Sequence, residues 1–328
     1  MSGAPRWMMV TAVAALTALA GAAGLVRATN SQMAGVTRTD AAGPALSPPT
    51  PGVENYLLVG SDSRAGADPG DADYANVGSE NSNPGMRSDT LMVMRYDTGN
   101  GSVSLMSVPR DLYVRIGSGE KYDRINSAYK HGPETVVRTV ERALNIPVHH
   151  YMEVDFQGFK SIVDAIHGVE ICVDRASRDK TTGFYIGRKA CKTVGGTQAL
   201  AYARSRHFEQ KYQDGWKMDA TADIGRTARQ RTFVTALLKS TARYVAAHPL
   251  EAADVMRNAT SAFTVDATLQ LVDLARKLRP AASGGAVSWA LPVTNDMVNG
   301  MSVVRLTNDA PPLLAYFAGT GPAPAPQG

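Results

Sequence analysis

The segment YLLVGSDSR, at positions 56–64, joins an apolar run to a charged motif, and it decides how this chain folds. A short apolar run that ends at a glycine is typical of a buried β-strand. Two further apolar runs, at 90–94 and 103–108, predict two more strands of the same sheet. Each run carries a charged motif at one end. The sequence therefore predicts a sheet whose strand ends bring Asp and Arg side chains together.

Helical patterns alternate with strands along the rest of the chain. Pro133 suits the first turn of a helix, and Asp155 suits the N-cap of the next one. The predicted helices cover 133–144, 155–166, 196–204, 223–246 and 266–278, and further strands cover 169–173, 286–291 and 302–306. This mixture favours an α/β fold, a layered α-β-α domain in which helices cover both faces of a central mixed β-sheet.

The amino-terminal part predicts a transmembrane helix ahead of this domain. Positions 7–26 hold 20 residues without a charge, which is the length that a helix needs to cross a bilayer. A cleaved signal peptide is the alternative, because small-residue sites such as 20–22 are present. The short segment ahead of the apolar run favours a retained, single-pass anchor in the cell membrane. Both alternatives place most of the chain outside the cytoplasm.

Composition divides the chain into five parts. Residues 27–52 are rich in Ala, Thr, Gly and Pro, which predicts an extended stalk. The expected order is a short cytoplasmic segment (1–6), a transmembrane signal anchor (7–26), the stalk (27–52), one catalytic domain (53–318) and a disordered tail (319–328). Within the domain, the 22 residues at 65–86 form an unusually long connection between two strands. We expect this segment to act as a flap over a site.

Charge and cysteine content narrow the function further. The formal net charge is only +4 over 328 residues, and no DNA-reading motif is present, so a nucleic-acid partner is not expected. Cys172 and Cys191 are the only two cysteines. In an oxidising compartment outside the cytoplasm, such a pair favours a structural disulfide.

The three charged motifs at the strand ends are GSDSR (60–64), RSDT (87–90) and PRD (109–111). Carboxylates bind a hard cation such as Mg²⁺, and arginines neutralise the charge of a phosphate ester. For any single motif, a structural salt bridge at the base of a loop is the alternative. Three such motifs and an arginine cluster further along the chain together favour a site for a divalent cation and a phosphate ester.

That arginine cluster lies between positions 204 and 231. In DIGRTARQ (223–230), the spacing of Arg226, Arg229 and Gln230 places all three on one face of a helix. The planar fork of a guanidinium group matches phosphate oxygens. A solvated basic face with neighbouring aspartates is the alternative interpretation.

Seven motifs in a fixed order resemble those of the LytR–CpsA–Psr family. They are GSDSR (60–64), RSDT (87–90), VPRDLYV (108–114), RINSAY (124–129), HHYMEVDF (149–156), LAYARSR (200–206) and DIGRTARQ (223–230). The resemblance covers about residues 55–244. It implies an enzyme that transfers a polyprenyl-pyrophosphate-linked glycopolymer, the donor, onto peptidoglycan, the acceptor, at the outer face of the cytoplasmic membrane.

The resemblance also implies roles for individual residues. Asp62 and Asp89 are the expected ligands of Mg²⁺ (or Mn²⁺), and the expected catalytic residues are Asp62, Asp89, Arg110 and Asp111. The pyrophosphate ligands that it implies are Arg87, Arg110, Arg204, Arg206, Arg226 and Gln230. Arg124, in a predicted turn before a helix, is added to them as an arginine within reach of the anion. Either Asp62 or Asp111 is expected to accept the proton of the acceptor hydroxyl.

Two other functions are compatible with the same residues. Water in place of peptidoglycan would make the protein a polyprenyl-pyrophosphate phosphatase. Binding of the lipid without turnover would make it a non-catalytic regulator of the cell envelope. Omission of peptidoglycan from an assay separates the transferase from the phosphatase, and a turnover assay with Mg²⁺ separates both from the regulator.

Overall fold

A computed structural model describes residues 36–61, 88–219, 262–271 and 287–325, together with a few residues between these ranges: 236, 240, 244, 247, 248, 273, 274 and 277. The strands are β1 (Thr37–Thr39), β2 (Val53–Ser61), β3 (Ser88–Asp97), β4 (Val103–Val108), β5 (Tyr113–Arg115), β6 (Tyr122–Arg124), β7 (His150–Val154), β8 (Val169–Val173), β9 (Ser177–Asp179), β10 (Phe184–Ile186), β11 (Ala190–Val194), β12 (Glu209–Tyr212), β13 (Gly215–Met218), β14 (Phe263–Asp266), β15 (Val287–Ala290), β16 (Val293–Val298) and β17 (Met301–Leu306). The α-helices are α1 (Pro133–Leu144), α2 (Phe156–Ala165), α3 (Gly196–Arg204) and α4 (Ala310–Ala318), and Gly43–Ala45 and Ile125–His131 are 3-10 helices.

A mixed sheet lies at the centre of the described residues, with strand order β1-β14-β7-β2-β3-β4-β15. β2 pairs antiparallel with β3 and parallel with β7, while β3 pairs antiparallel with β4. Successive side chains of a strand point to opposite faces, so the apolar run of β2 contributes to two cores. The predicted mixed sheet is therefore present.

Helices cover both faces of this sheet. On one face, Tyr56 and Leu58 pack in a core with residues of α2 and α3. On the other face, Leu57 and Val59 pack in a second core with residues of α1 and α4. The predicted layered α-β-α architecture is confirmed.

The helix ends follow from local sequence. Pro133 occupies the first turn of α1, and the helix ends where Asn145 adopts a left-handed conformation with φ 52°. Asp155 caps α2, because its side chain accepts a 2.8 Å hydrogen bond from the backbone N–H of Gly158. Both helix starts agree with the sequence-based prediction.

The structure differs from the prediction of a stalk over 27–52. From residue 36 onward the chain belongs to the domain, because β1 pairs parallel with β14 and adds an edge strand to the central sheet. Ala42 and Ala45 are buried, and the backbone N–H of Ser47 donates to the carbonyl of Val148 at 2.8 Å. Backbone pairing and small buried side chains hold this segment, so its scarcity of large apolar residues was misleading.

Smaller differences concern short elements and the chain end. The sheet β10-β9-β12-β13 was not predicted, and Asp266, the predicted start of a helix, ends strand β14 instead. Gly319 and Thr320 donate backbone hydrogen bonds to the end of α4, which differs from the expected disordered tail.

In the described part of the chain no helix has the length and apolar character needed to cross a membrane. The predicted anchor (7–26) and flap (65–86) lie outside that part.

The predicted disulfide between Cys172 and Cys191 is present. The two residues lie directly opposite each other on the paired strands β8 and β11. This hairpin leads into α3, whose buried residues pack in the same core as those of β8 and β11. The disulfide thus fastens the hairpin that precedes the helix carrying Arg204.

A half-buried ionic cluster ties the start of β7 to neighbouring strands, at the end of the sheet opposite the charged motifs. His150 contacts Asp266 through Nδ1 at 3.1 Å and Glu54 through Nε2 at 3.3 Å. Burial by itself lowers the pKa of His150, but the bonds to Asp266 and Glu54 outweigh it and raise that pKa above its ordinary value. The pKa of Glu54 falls to about 2: burial opposes this shift, and bonds from His150 and Lys277 cause it.

This cluster predicts how stability depends on pH. A raised pKa in the folded state means that the stabilisation by His150 is complete below the unfolded pKa of about 6.5 and is lost as pH rises through the folded value. We expect the melting temperature to fall as pH rises above about 6.5 and through the folded pKa of His150, and the variant His150→Gln to lose this decline. Thermal unfolding followed by circular dichroism across this range measures it.

His149 provides a matched control of opposite sign. It is buried, its Nδ1 accepts from the backbone N–H of Asn55 at 2.8 Å, and burial lowers its pKa. Its contribution to stability is therefore lost as pH falls, so His149→Gln should change the acid side of the profile and leave the alkaline decline in place. An alkaline decline that persists in His150→Gln contradicts the assignment to this cluster.

Candidate functional site

One edge of the central sheet collects the charged motifs. Ser61 at the end of β2 lies opposite Ser88 at the start of β3. Val108 at the end of β4 lies opposite Leu91, close to the same start of β3. The end of β7 lies there too, because Val154 is in register with Gly60. The residues that follow or open these strands therefore share one edge, as predicted from the strand ends.

Arg110, Asp111 and Arg124 form a contiguous group at this edge. The carboxylate of Asp111 lies 3.5 Å from Nε of Arg110 and 3.5 Å from Nε of Arg124. Arg124 also donates from Nε to the carbonyl of Ser302 at 3.1 Å. The backbone N–H of Asn126 donates to the carbonyl of Arg110 at 3.1 Å and fixes the turn after β4. All three charged side chains remain partly exposed, so a ligand has access to them.

Arg204 approaches the same edge from the opposite face of the sheet. Its guanidinium lies 4.6 Å from the ring centroid of Phe156, the residue that opens α2 just after β7. β2 and β3 lie between β7 and β4 in the sheet, so Arg204, beside the residue that follows β7, and Arg110, which follows β4, are separated along the edge. The structure thus groups Arg110 with Arg124 and places Arg204 separately.

A buried carboxylate holds the backbone around Arg206. One oxygen of Asp179 accepts from the hydroxyl of Ser205 at 2.6 Å and from the backbone N–H of His207 at 2.9 Å. Asp179 is fully buried, which by itself raises its pKa, but these bonds hold that pKa below its ordinary value. Arg206 lies between the two clamped residues and is exposed. The clamp fixes the chain on both sides of a predicted pyrophosphate ligand.

The start of β3 contains a bulge at a predicted metal ligand. Gly60 is in register with Thr90 and Ser61 with Ser88, which leaves Asp89 as the extra residue of β3. β-bulges are over-represented next to active sites. Beside it, the hydroxyl of Ser61 is buried and has no hydrogen-bond partner among the described residues. An orphan oxygen at this position fits a site that takes a further polar ligand.

The remaining predicted site residues lie outside the described part of the chain. These are Asp62, Arg87, Arg226 and Gln230. In the sequence, Asp62 directly follows Ser61 and Arg87 directly precedes Ser88. The roles of all four stay predictions.

A carboxylate held by two tyrosines lies near this edge and was missed in the sequence. The hydroxyls of Tyr129 and Tyr151 both donate to Glu153 near the end of β7, the second at 2.7 Å. Burial, and then the charge of Glu153, raise the pKa of Tyr151 well above its ordinary value, so its hydroxyl stays protonated. Strand alternation in 149–156 places Tyr151 and Glu153 on one face, which was the available signal. Tyr129 comes from a distant turn.

Electrostatically, this edge suits an anion that also carries a hard cation. Partly exposed arginines flank it from both faces of the sheet. The buried hydroxyl of Ser61, which has no hydrogen-bond partner among the described residues, lies at the end of β2 on the same edge. Hard cations take oxygen ligands, and arginines bind phosphate oxygens. The arrangement is chemically suited to bind a pyrophosphate.

Comparison with known proteins finds related sequences. The model of the LytR_cpsA_psr family matches residues 25–311. A probable cell wall biosynthesis protein, LcpB of Corynebacterium glutamicum, is 34% identical over 243 residues, covering 74% of this chain and 55% of that protein. A polyisoprenyl-teichoic acid–peptidoglycan teichoic acid transferase, TagU of Bacillus mycoides, is 36% identical over 191 residues, covering 58% and 53% respectively. The chain thus spans about half the length of these sequence relatives.

Solved structures share the fold. A LytR-Csp2A-Psr enzyme from Actinomyces oris superposes with a TM-score of 0.64 at 23% identity, covering 86% of this chain and 96% of the other. TagV of B. subtilis gives a TM-score of 0.58 at 22% identity, covering 84% of this chain and 100% of the other. At this level of identity the likeness concerns the fold alone.

Proposed function

This chain belongs to the LytR–CpsA–Psr family, and we propose that it transfers a polyprenyl-pyrophosphate-linked cell-wall glycopolymer onto peptidoglycan. The observation that carries the proposal is the sheet edge at which Arg110, Asp111 and Arg124 meet the ends of β2 and β3. Among the relatives, TagU is named a polyisoprenyl-teichoic acid–peptidoglycan teichoic acid transferase, and one TagT structure of the same fold has LI-WTA bound. The name of TagU supports a polyisoprenyl-linked polymer as the donor.

In the proposed reaction, a peptidoglycan hydroxyl attacks the phosphorus that carries the glycopolymer. A new oxygen–phosphorus bond forms, the bond from that phosphorus to the bridging oxygen breaks, and polyprenyl phosphate leaves with the bridging oxygen. The proton of the hydroxyl passes to a carboxylate, either Asp62 or Asp111. Arg110 and Arg124 bind the charge that accumulates on the phosphate oxygens, and Asp111 keeps their two Nε atoms together.

The same edge fits a divalent cation. We propose that Asp62 and Asp89 hold Mg²⁺ (or Mn²⁺), because Asp62 follows Ser61 in the sequence, Ser61 pairs with Ser88, the neighbour of Asp89, and the buried hydroxyl of Ser61 has no partner among the described residues. When bound, the ion would neutralise phosphate charge as a Lewis acid. The residues of the chain position the pyrophosphate, and arginines from both faces of the sheet bind it.

We further propose a single-pass anchor at 7–26 that keeps the catalytic domain at the outer face of the cytoplasmic membrane. This location places the site beside the membrane in which a polyprenyl carrier resides. The alternative of a phosphatase uses the same residues with water as the attacking group. The alternative of a non-catalytic lipid-binding regulator needs only the binding step.

Removal of the metal provides a direct test of the proposed site. We expect the full-length protein in detergent to attach a lipid-linked glycopolymer to peptidoglycan, to lose this transfer in EDTA, and to regain it with added Mg²⁺. Transfer is measured as glycan covalently recovered with peptidoglycan. Transfer that is unchanged in EDTA overturns the metal assignment. Equal release of polyprenyl phosphate without peptidoglycan identifies a phosphatase instead.

A further inference from the structure

A second polar surface extends from the site along the hairpin of β5 and β6. In this hairpin Tyr113 lies opposite Arg124, and Arg115 lies opposite Tyr122. Residues two apart on a strand share a face, so all four side chains project from one face of the hairpin. Arg124 is the residue that contacts Asp111 at 3.5 Å. The surface is therefore continuous with the candidate site.

Aromatic rings and guanidinium groups alternate along this face. The rings of Tyr113 and Tyr122 stack with centroids 5.5 Å apart. The guanidinium of Arg115 lies 5.3 Å from the ring centroid of Tyr122, and that of Arg305 lies 5.1 Å from that of Tyr113. Tyr122 is 46% exposed even though its ring is part of this stack. We call Tyr113, Tyr122, Arg115 and Arg305 the Tyr–Arg strip.

The strip borders a groove of about 460 Å³. This volume lies in the range of sites that bind small molecules or polymer segments. Its described lining includes Arg115, Arg142 and Arg305 and contains no acidic residue. The acidic partners of these arginines lie outside the lining: Glu120 contacts Arg115 and Arg142, and Asp296 contacts Arg305.

These ion pairs do not close the groove to an anion. The side chain of Glu120 is 73% exposed, and that of Asp296 is 39% exposed. Solvent screens exposed ion pairs and makes them weak, so a ligand that carries several negative charges competes with them. Exposed tyrosine rings provide flat apolar surfaces, and the guanidinium groups of the arginines provide paired N–H donors for phosphate or carboxylate oxygens. Together they fit a chain of sugar rings that carries anionic groups.

We propose that the Tyr–Arg strip binds the anionic glycan of the donor, next to its pyrophosphate. This inference rests on the proposed function, because the glycan is joined directly to the pyrophosphate assigned to Arg110 and Arg124. Opposed residues of a hairpin lie about 5 Å apart, so a glycan that leaves Arg124 meets the ring of Tyr113 first. The strip then continues to Tyr122 and Arg115 without a break.

Direct binding to the full-length protein tests this proposal without turnover. The probe is a soluble oligomer of hexosyl phosphate, which carries both sugar rings and phosphate diesters, and calorimetry measures its dissociation constant. We expect Tyr122→Ala and Arg305→Gln each to weaken this binding about tenfold. In a transfer assay, the same variants should raise KM for the donor and leave kcat close to the wild-type value. Tyr185→Ala is the matched control, because Tyr185 is an exposed tyrosine (58%) on β10, in a different sheet.

The outcomes separate this inference from the proposed function. Unchanged probe binding in both variants, with wild-type transfer intact, overturns the strip and leaves the transferase. Weakened binding in Tyr185→Ala to the same extent also overturns it, because the effect is then not local. A second arm uses peptidoglycan fragments released by muramidase. If the variants weaken binding of these fragments and not of the phosphate oligomer, the strip binds the acceptor and the assignment to the donor is wrong.

Discussion

Replacement of Arg110 by alanine is expected to lower glycopolymer transfer about 10²- to 10³-fold without unfolding the domain. Arg110 closes β4 at the shared sheet edge and is held beside Asp111 at 3.5 Å. A guanidinium aimed at charge that develops on phosphate oxygens contributes most in the transition state. Its ion pair is partly exposed, so its loss should cost only about 1 kcal/mol of stability. The transfer rate and the melting temperature are measured on the same preparation.

Arg138→Ala is the control for this prediction. Arg138 is also an arginine with a nearby carboxylate, Glu134 at 2.9 Å, but it lies on α1 and not at the shared edge. Its replacement should leave transfer unchanged. Transfer that stays near the wild-type rate in Arg110→Ala would show that the pyrophosphate binds elsewhere. An equal loss in Arg138→Ala would point to a general charge effect.

The second large effect is expected at Asp179, which does not itself need to touch the substrate. The variant Asp179→Ala removes the acceptor for Ser205 and for the backbone N–H of His207, so the segment with Arg206 is no longer fixed. Displacement of a substrate-binding group by about 1 Å costs on the order of 100-fold in rate. Buried donors left without partners should also destabilise the fold by about 3 kcal/mol. We expect both losses together.

Comparison with Asp164→Ala distinguishes the loss of a fixed position of Arg206 from a general loss of stability. Asp164 accepts from the backbone N–H of Gly196 at 2.7 Å and so holds the other end of the same helix, α3. This variant should lose about 1 kcal/mol of stability and keep its transfer rate. Asp179→Ala is assayed below its own melting temperature, with the fold confirmed by near-ultraviolet circular dichroism. A folded Asp179→Ala with normal transfer rules out the clamp.

Much of the framework followed from local sequence. The strands at 103–108 and 169–173 and the helices at 133–144 and 196–204 agree with the structure, because their apolar spacing and caps are encoded within each segment. The layered architecture followed in turn, since strands with apolar residues on both faces need helices on both sides. These features depend on neighbours in the sequence.

Features that depend on contacts between residues distant in the sequence were not predicted. β1 is held by backbone pairing to β14, more than 200 residues away, and its own composition resembles a linker. The three-residue strands β9 and β10 are too short for periodicity to show. The clamp of Asp179 and the tyrosines on Glu153 join side chains from separate elements. Their chemistry was visible in the sequence, but their contacts were not.

The candidate site, like the fold, was predicted only in part from the sequence. The strand-end motifs predicted that Arg110 and Asp111 lie at a shared sheet edge, and the structure also brings Arg124 to them. The separation of Arg204 on the opposite face, and its contact with Phe156, required the packing of α2 against α3. The bulge at Asp89 required the register of β2 against β3.

The reaction of the full-length protein with a polyprenyl-pyrophosphate-linked glycopolymer, with and without peptidoglycan, tests the proposed function most directly. With peptidoglycan and Mg²⁺, we expect one polyprenyl phosphate to be released for each glycan attached, and little release when peptidoglycan is omitted. Release at the same rate without peptidoglycan, or no release under either condition, would contradict the assignment of this chain as a glycopolymer transferase.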